Sequence, residues 1–445
     1  MPRTLTVIPE HAAAQNQDYL GPDAILEKKR DFLIPCVYHF YRHPPQFVRG
    51  GGCYLFDSTG KRYLDLFASV SVHALGHCHP EVVDAITRQV RELQLTTSIH
   101  LTEGMVLLAE ALADFFPGDL RRTFFCASGS EANEGAALLA MLHTGRGEFL
   151  AFQNALHGRT KLAMSLTGLA FWRPDPNPVG GIAHVPHPSC DRCPFGKTRP
   201  TCNWECVAAV ETVIRTSTSG KPAAMFVEPI QGNGGINVPP PGYFQQLRRL
   251  LDLYGVLLIA DEVQTGFGRT GAPFAMNHWD VVPDIITGGK ALGGGTPIGF
   301  FATTANIAAS YTRPGASTFG GNPVTAAAAL AFLRILQHDG IIERSATLGQ
   351  YLLELLAERK NRFDFIRDVR GRGLMVGMEL SNLGDKPPAT LTEEILERMK
   401  DAGYLLGKTG PGRNVLTWMP PLIVTSEQLE DAVHALDRVL QSVCC

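Results

Sequence analysis

The chain has 445 residues, 45% hydrophobic and 19% charged, and 40 Lys and Arg against 43 Asp and Glu leave a net charge of −3. That apolar content excludes a disordered chain, and the near balance of charge without a long basic block excludes a dedicated nucleic-acid binder. No apolar run is long enough to cross a membrane, residues 1–10 lack the apolar core of a secretory signal, and ten cysteines are too dilute for a disulfide scaffold. The expectation is a cytoplasmic globular α/β chain of about two or three domains.

In chain order, residues 54–56 and 62–66 flank the turn-rich Asp57-Ser58-Thr59-Gly60 and read as a hairpin. Five short β-branched or aromatic runs follow, at 122–127, 149–153, 224–228, 256–261 and 284–289, with helical patterns between them at 131–142 and 243–254. Strands alternating with helices predict a mainly parallel sheet, and continuous apolar strands such as 256–260 fit a sheet covered on both faces. Chemistry in such folds sits at the carboxyl ends of the strands. Beyond an alanine-rich helix at 326–336 the rhythm changes: helix 342–360, strands near 366–369 and 374–380, and a last helix at 427–442. The expected division is an N-terminal segment (1–75) packing with a small C-terminal α+β domain (331–445), around a large domain (76–330).

Two strand ends carry the strongest chemical signal. The strand 256–261 delivers Asp261 and breaks into the glycine-rich 262–271, and the strand 284–289 delivers Lys290 before Gly293. An acid and an amine at neighbouring strand ends can hold a flat cationic heterocycle, the lysine as a Schiff base and the acid keeping a ring nitrogen protonated. An ion pair at the sheet edge is the alternative. Upstream, Cys126-Ala127-Ser128-Gly129-Ser130-Glu131-Ala132 runs from strand through tight turn to helix start, where the backbone N–H groups of Gly129 and Ser130 suit a phosphate. Helix capping by Ser128 or Ser130 is the simpler reading of that turn alone. It matches neither the three-glycine dinucleotide fingerprint nor a Walker loop.

Phosphate turn, strand-end acid and strand-end lysine, in that order, resemble the class III aminotransferases, in their ω-transaminase and alanine–glyoxylate aminotransferase 2-like branch. The resemblance covers roughly residues 30 to 440. It rests also on Leu75-Gly76-His77-Cys78-His79-Pro80, Val227-Glu228-Pro229-Ile230-Gln231-Gly232, Thr318-Phe319-Gly320-Gly321-Asn322-Pro323, Arg370-Gly371-Arg372-Gly373-Leu374 and Pro420-Pro421-Leu422. It implies a fold-type I transferase with a seven-stranded sheet, pyridoxal 5'-phosphate as cofactor, and a homodimer with shared sites, tetramers being left open. It also implies an amino group moved from a primary amine or amino acid to a 2-oxo acid. By that resemblance Lys290 and Asp261 are catalytic. The cofactor is also held by Gly129, Ser130, Leu156, His157, Glu228, Val263 and Gln264, and by Thr318 reaching into the neighbouring subunit.

Three departures bear on substrate. An aromatic residue that stacks on the cofactor in the family is replaced here by Leu156, before the His157-Gly158 pair expected over a ring face. A glutamate after the Glu-Pro-Ile-Gln-Gly motif in one large branch is Asn233, and its arginine partner, three residues before Pro-Pro-Leu, is Thr417. Losing both together is coherent, since a lone buried charge is costly. Arg413 or Lys408 could bind a carboxylate instead, with surface roles as the alternative, and Trp172 is a candidate at the entrance. Cys190, Cys193, Cys202 and Cys206 have near zinc-site spacing, against a loop of free thiols, and His77 and His79 read as structural. Racemase, lyase or decarboxylase outcomes on the same cofactor, and a non-catalytic binding protein, are the rival functions.

Overall fold

The computed structural model describes residues 19–444; the expectation for residues 1–10 lies outside the described residues. The N-terminal strands are β1 (Phe47–Gly51), β2 (Tyr54–Asp57) and β3 (Arg62–Asp65). The central strands are β4 (Arg122–Cys126), β5 (Phe149–Phe152), β6 (Ile182–Val185), β7 (Ala224–Val227), β8 (Leu257–Asp261), β9 (Ile285–Gly289) and β10 (Gly299–Thr303). The C-terminal strands are β11 (Ile366–Arg372), β12 (Met375–Leu380), β13 (Tyr404–Leu405), β14 (Gly407–Thr409) and β15 (Val415–Trp418).

The central strands form one seven-stranded sheet, in the order β4-β10-β9-β8-β7-β5-β6. Pairings from β6 through β9 are parallel, while β10 runs antiparallel between β4 and β9. The antiparallel strand was not anticipated, because a phenylalanine-rich run closing on a threonine carries no mark of direction. Every residue of β5 and β7 is buried. Successive side chains of these strands enter opposite cores. Leu150, Met225 and Leu258 pack on one side with Phe244 and Leu247, and Ala151, Phe226 and Ile259 on the other with Ala136 and Ala140. This is the two-sided burial expected of the apolar runs.

The hairpin is present, with Tyr54 opposite Leu64. It does not stand alone: β13 pairs in parallel with β3, Tyr404 beside Leu64, so the N-terminal strands share a sheet with a C-terminal one. A second antiparallel sheet, β11-β12-β15-β14, completes that region. The helix Pro388–Asp401 and the short strands β13 to β15 went unread in the sequence, the strands being two to four residues long. Among the described residues no helix is long and apolar enough to cross a membrane.

Candidate active site

The carboxyl ends of β4, β8 and β9 lie at one edge of the sheet and deliver the turn Ser128–Ser130, Asp261 and Lys290. Ser128 caps the helix Gly129–Thr144, its Oγ accepting from the Glu131 N–H, while the Glu131 carboxylate accepts from the Ala127 N–H at 2.8 Å. Capping and anion binding are not rivals here. With the cap satisfied by Ser128, the N–H groups of Gly129 and Ser130 have no acceptor among the described residues and point out of a positive helix end. A Cβ on Gly129 would stand 2.7 Å from Val263 Cγ1, and one on Gly289 would stand 3.7 Å from the Gly129 nitrogen. Glycine at both positions lets the turn close against the strand ends.

Asp261 is 4% exposed and surrounded by donors. Its Oδ2 accepts from Asn133 Nδ2 and from His157 Nδ1, each at 2.8 Å, and its Oδ1 accepts from the Val263 N–H at 3.1 Å. Asn133 in turn accepts from Thr287 Oγ1 at 2.7 Å. Three donors fix the carboxylate as an acceptor of defined direction. His157, in the loop expected over a ring face, points its Nδ1 at the acid and lies buried against Phe226. Asn133 was not singled out in the sequence, although it lies one helical turn beyond Gly129 on the face toward the sheet.

Lys290 follows β9 with φ 41°, a left-handed conformation that costs a residue with a side chain roughly 1–3 kcal/mol. Its side chain keeps some exposure yet lies deep among protein atoms. Desolvation draws its ammonium below the ordinary lysine range, opposed by the Asp261 and Glu228 carboxyls. Glu228, at the end of β7, spends both oxygens on backbone: Oε1 on the Leu156 N–H at 2.7 Å and Oε2 on the Gly232 N–H at 2.9 Å. It fixes two loops at the site rather than presenting a free carboxylate, and burial pushes its pKa up to about 7. Gln264 is 8% exposed, and a Cβ on Gly232 would overlap its Oε1, so glycine there makes room for the amide.

A flat, phosphorylated, cationic heterocycle needs free N–H groups for its phosphate, a directed carboxylate for its ring nitrogen and an amine with a lowered pKa. All three converge, and the Cβ-free approaches at Gly129 and Gly232 leave the walls close-fitting. The residues present fit the group.

The positions that lost the glutamate and the arginine lie at one corner. The Asn233 carbonyl accepts from the Gly410 N–H at 2.9 Å, and the adjacent Thr409 hydroxyl meets the Thr417 hydroxyl at 2.8 Å. Backbone and hydroxyl bonds close the gap, and no charge is left behind. Lys408 pairs with Glu393 at 2.7 Å, which removes it as a free carboxylate binder. Arg413 has no carboxylate partner among the described residues; it lies over the Phe171 ring at 4.8 Å and lines a cavity of about 410 Å³ with Tyr38, Phe40 and Lys408. Trp172 belongs to the same aromatic group, 5.2 Å from Phe171 and 5.9 Å from Tyr38 between ring centres. Thr318 is exposed, next to Phe319 at 57% exposure.

Cys190, Cys193, Cys202 and Cys206 are free thiols around one cavity of about 20 Å³, which Trp204 also lines under Arg199 at 4.2 Å. Among the described residues no group of three or more His, Cys, Asp or Glu is arranged to hold a metal ion. Burial pushes the Cys206 thiol up to about 11. The zinc reading of the spacing is not carried by the arrangement. His77 is bonded through Nε2 to Asp65 at 2.8 Å and His79 precedes the helix Pro80–Glu92, both in structural positions.

A family model for class-III aminotransferases matches residues 41–440. The chain is 40% identical over 425 residues to the alanine–glyoxylate aminotransferase 2 homolog 2, mitochondrial, of Arabidopsis thaliana, covering 94% of this chain and 88% of that one. It is 37% identical over 402 residues to the leucine/methionine racemase of Thermococcus litoralis, covering 89% and 90%. Among solved structures, the (S)-enantioselective ω-transaminase of Thermomicrobium roseum superposes with a TM-score of 0.86 at 30% identity, covering 95% of this chain and 98% of that one.

Proposed function

The chain belongs to the class III aminotransferase family, whose members use pyridoxal phosphate for transamination, and within that family we propose that it moves the amino group of a bulky primary amine or ω-amino acid to a pyruvate-like 2-oxo acid. The uncharged corner of Asn233, Thr409 and Thr417 carries this reading. A bare carboxylate entering such a wall loses its hydration without a partner, whereas an apolar body loses little.

Pyridoxal phosphate, when bound, supplies an electron sink for the bond broken at the amine-bearing carbon. The chain's own residues do the rest. Gly129 and Ser130 offer N–H groups to the phosphate, and Asp261, fixed by Asn133, His157 and Val263, keeps a proton on the ring nitrogen. Lys290 would hold the cofactor covalently, and once released its Nζ would move a proton from the substrate carbon to the carbon on the other side of the substrate nitrogen. Its lowered pKa leaves more neutral amine to act as that base near pH 7 than an ordinary lysine would. Arg413 is the group proposed to hold the oxo acid's carboxylate, with Trp172 beside it at the mouth.

A donor series at fixed pyruvate tests the wall. Aryl-substituted and long-chain amines are expected to exceed ornithine in kcat/KM by about tenfold or more, in line with roughly 1–3 kcal/mol for a carboxylate left poorly paired. Ornithine leading the series would contradict it. In the same assay Arg413→Ala should raise the KM for pyruvate at least about tenfold with little change in the KM for the amine. An unchanged pyruvate KM would move the carboxylate site elsewhere.

The active unit is proposed to be a homodimer. Thr318 and Phe319 are exposed at the end of a loop, and Ile99 and Leu101 are 73% and 101% exposed on a neighbouring surface, an apolar patch suited to a second copy. If Thr318 serves the neighbouring subunit, mixing inactive Lys290→Ala with cofactor-weak Thr318→Ala should restore up to about a quarter of wild-type activity through hybrids with one intact site. Confirmed subunit exchange without recovery would argue against a shared site.

The racemase relative supports a second outcome at the same residues. Amino-acid racemisation without ketone formation would favour it. Localisation in the cytoplasm belongs to this proposal as well.

A further inference from the structure

Arg269 lies in the glycine-rich loop that leaves Asp261, and it is 2% exposed. A guanidinium so deep is normally paired with a carboxylate; among the described residues this one is not. Its Nη1 donates instead to two main-chain carbonyls, Leu374 at 2.9 Å and Pro420 at 2.6 Å, and its Nη2 is buried without a partner. Desolvation draws its pKa down to about 9, and the charge that opposes this is Asp65, already bonded to His77. The cation is therefore held against its own tendency to be hydrated. A buried cation without a carboxylate partner is a costly way to pair two carbonyls, which directs attention to what those carbonyls hold in place.

Leu374 leads into β12 of the C-terminal region. Pro420 follows β15, three residues after Thr417. The flanking Met419 N–H donates to Leu66 and the Leu422 N–H to Ala74, each at 2.7 Å, so the same proline segment clasps the N-terminal stretch between them. Within that stretch Ala68, Ser69, Val70 and Ser71 all have left-handed φ values between 46° and 65°, a run that isolated L-residues avoid. Asp65 Oδ1 fixes its entry by accepting from the N–H groups of Phe67 and Ala68. The Arg269 loop is pressed into place from its other side. A Cβ on Gly373 would stand 2.4 Å from Thr270 C, and the Arg269 carbonyl accepts from Ser345 Oγ at 3.2 Å. Two pieces of the C-terminal region thus meet the Arg269 loop at one side chain, and the second of them holds the 66–74 stretch.

We propose that Arg269 is a positioning residue of the transamination, its two-carbonyl fork setting the wall around Thr417 and the strained 68–71 turn in register with Asp261 and Lys290. The inference rests on the aminotransferase activity of the family and not on the donor class, so it is tested with whichever donor proves best.

The experiment compares wild type with Arg269→Met and Arg269→Lys for melting temperature, cofactor content, and kcat and KM for two donors of different size. Methionine fills the space without a charge or donors; leaving two main-chain carbonyls unpaired should lower the melting temperature, but the fold and the borohydride-trappable cofactor should be kept. Its kcat/KM should still fall about 100-fold, the scale on which small misplacements of reacting groups act. The ratio between the two donors should change as well, which a uniform loss of folded enzyme cannot produce. Lysine keeps one charged head and should recover part of the activity. Wild-type kcat/KM in the methionine variant would overturn the proposal, as would a loss matching the loss of bound cofactor with an unchanged donor ratio. If the methionine variant does not fold, the lysine variant decides by the same ratio; if neither folds, the role is structural and the proposal fails.

Discussion

Replacing Lys290 with alanine is expected to abolish measurable turnover, a loss on the order of 10⁴-fold or more, while leaving the protein folded. Among the described residues the Lys290 side chain makes no hydrogen bond or ion pair that the fold depends on. Its desolvated amine sits beside two carboxyl groups, Asp261 and Glu228, as a reactive group rather than a strut. Alanine also inherits the φ of 41° with the same left-handed cost, so stability should change little. The check is kinetic and chemical together. The variant should lose borohydride trapping of cofactor, and peptide mapping of wild type should find the trapped group on Lys290. Trapping at another lysine in the variant, with turnover retained, would refute the assignment.

The second large effect is expected at Asp261. Asparagine there removes the charge that keeps the ring nitrogen protonated and also misfits its surroundings. Asn133, His157 and the Val263 N–H all donate to the carboxylate. Whichever way the amide is turned, its NH₂ faces a donor, and at least one hydrogen bond becomes a repulsion worth about 1–3 kcal/mol. Cofactor should remain bound through Lys290 and the Gly129–Ser130 turn, while the proton-transfer step slows about 10³-fold, the scale of losing one preorganised electrostatic partner. Single-turnover absorbance measurements on the loaded variant give that rate directly. A rate within a few fold of wild type would show that Asp261 does not serve the ring nitrogen.

What could be read from the amino-acid sequence followed the strength of local signals. Apolar runs ending in Asp261 and before Lys290 announced both strands and their reacting groups, because buried parallel strands carry an unmistakable composition. The turn at Ser128 was legible as cap and as anion site; only the structure shows that Ser128 does the first and leaves Gly129 and Ser130 for the second. Asn233 and Thr417 were legible as a paired absence, and the structure adds that Gly410 and Thr409 close the corner. Long-range partners were not legible. His157 is 104 residues from the acid it bonds, and the Arg269 fork spans 105 and 151 residues to its two carbonyls. Periodicity is silent about such contacts. The cysteines went the other way: among the described residues the suggestive spacing is not arranged as a ligand set, since spacing fixes distance along the chain and not the approach of side chains in space.

The most direct measurement is a half reaction with wild-type enzyme loaded with pyridoxal phosphate, an amine donor and no oxo acid. The account predicts one carbonyl product, ketone or aldehyde according to the donor, per intact site, then a halt, with turnover resuming only when pyruvate is added. Continued reaction without pyruvate, whether as racemised amino acid, eliminated product or released carbon dioxide, would contradict transamination at Lys290 and Asp261.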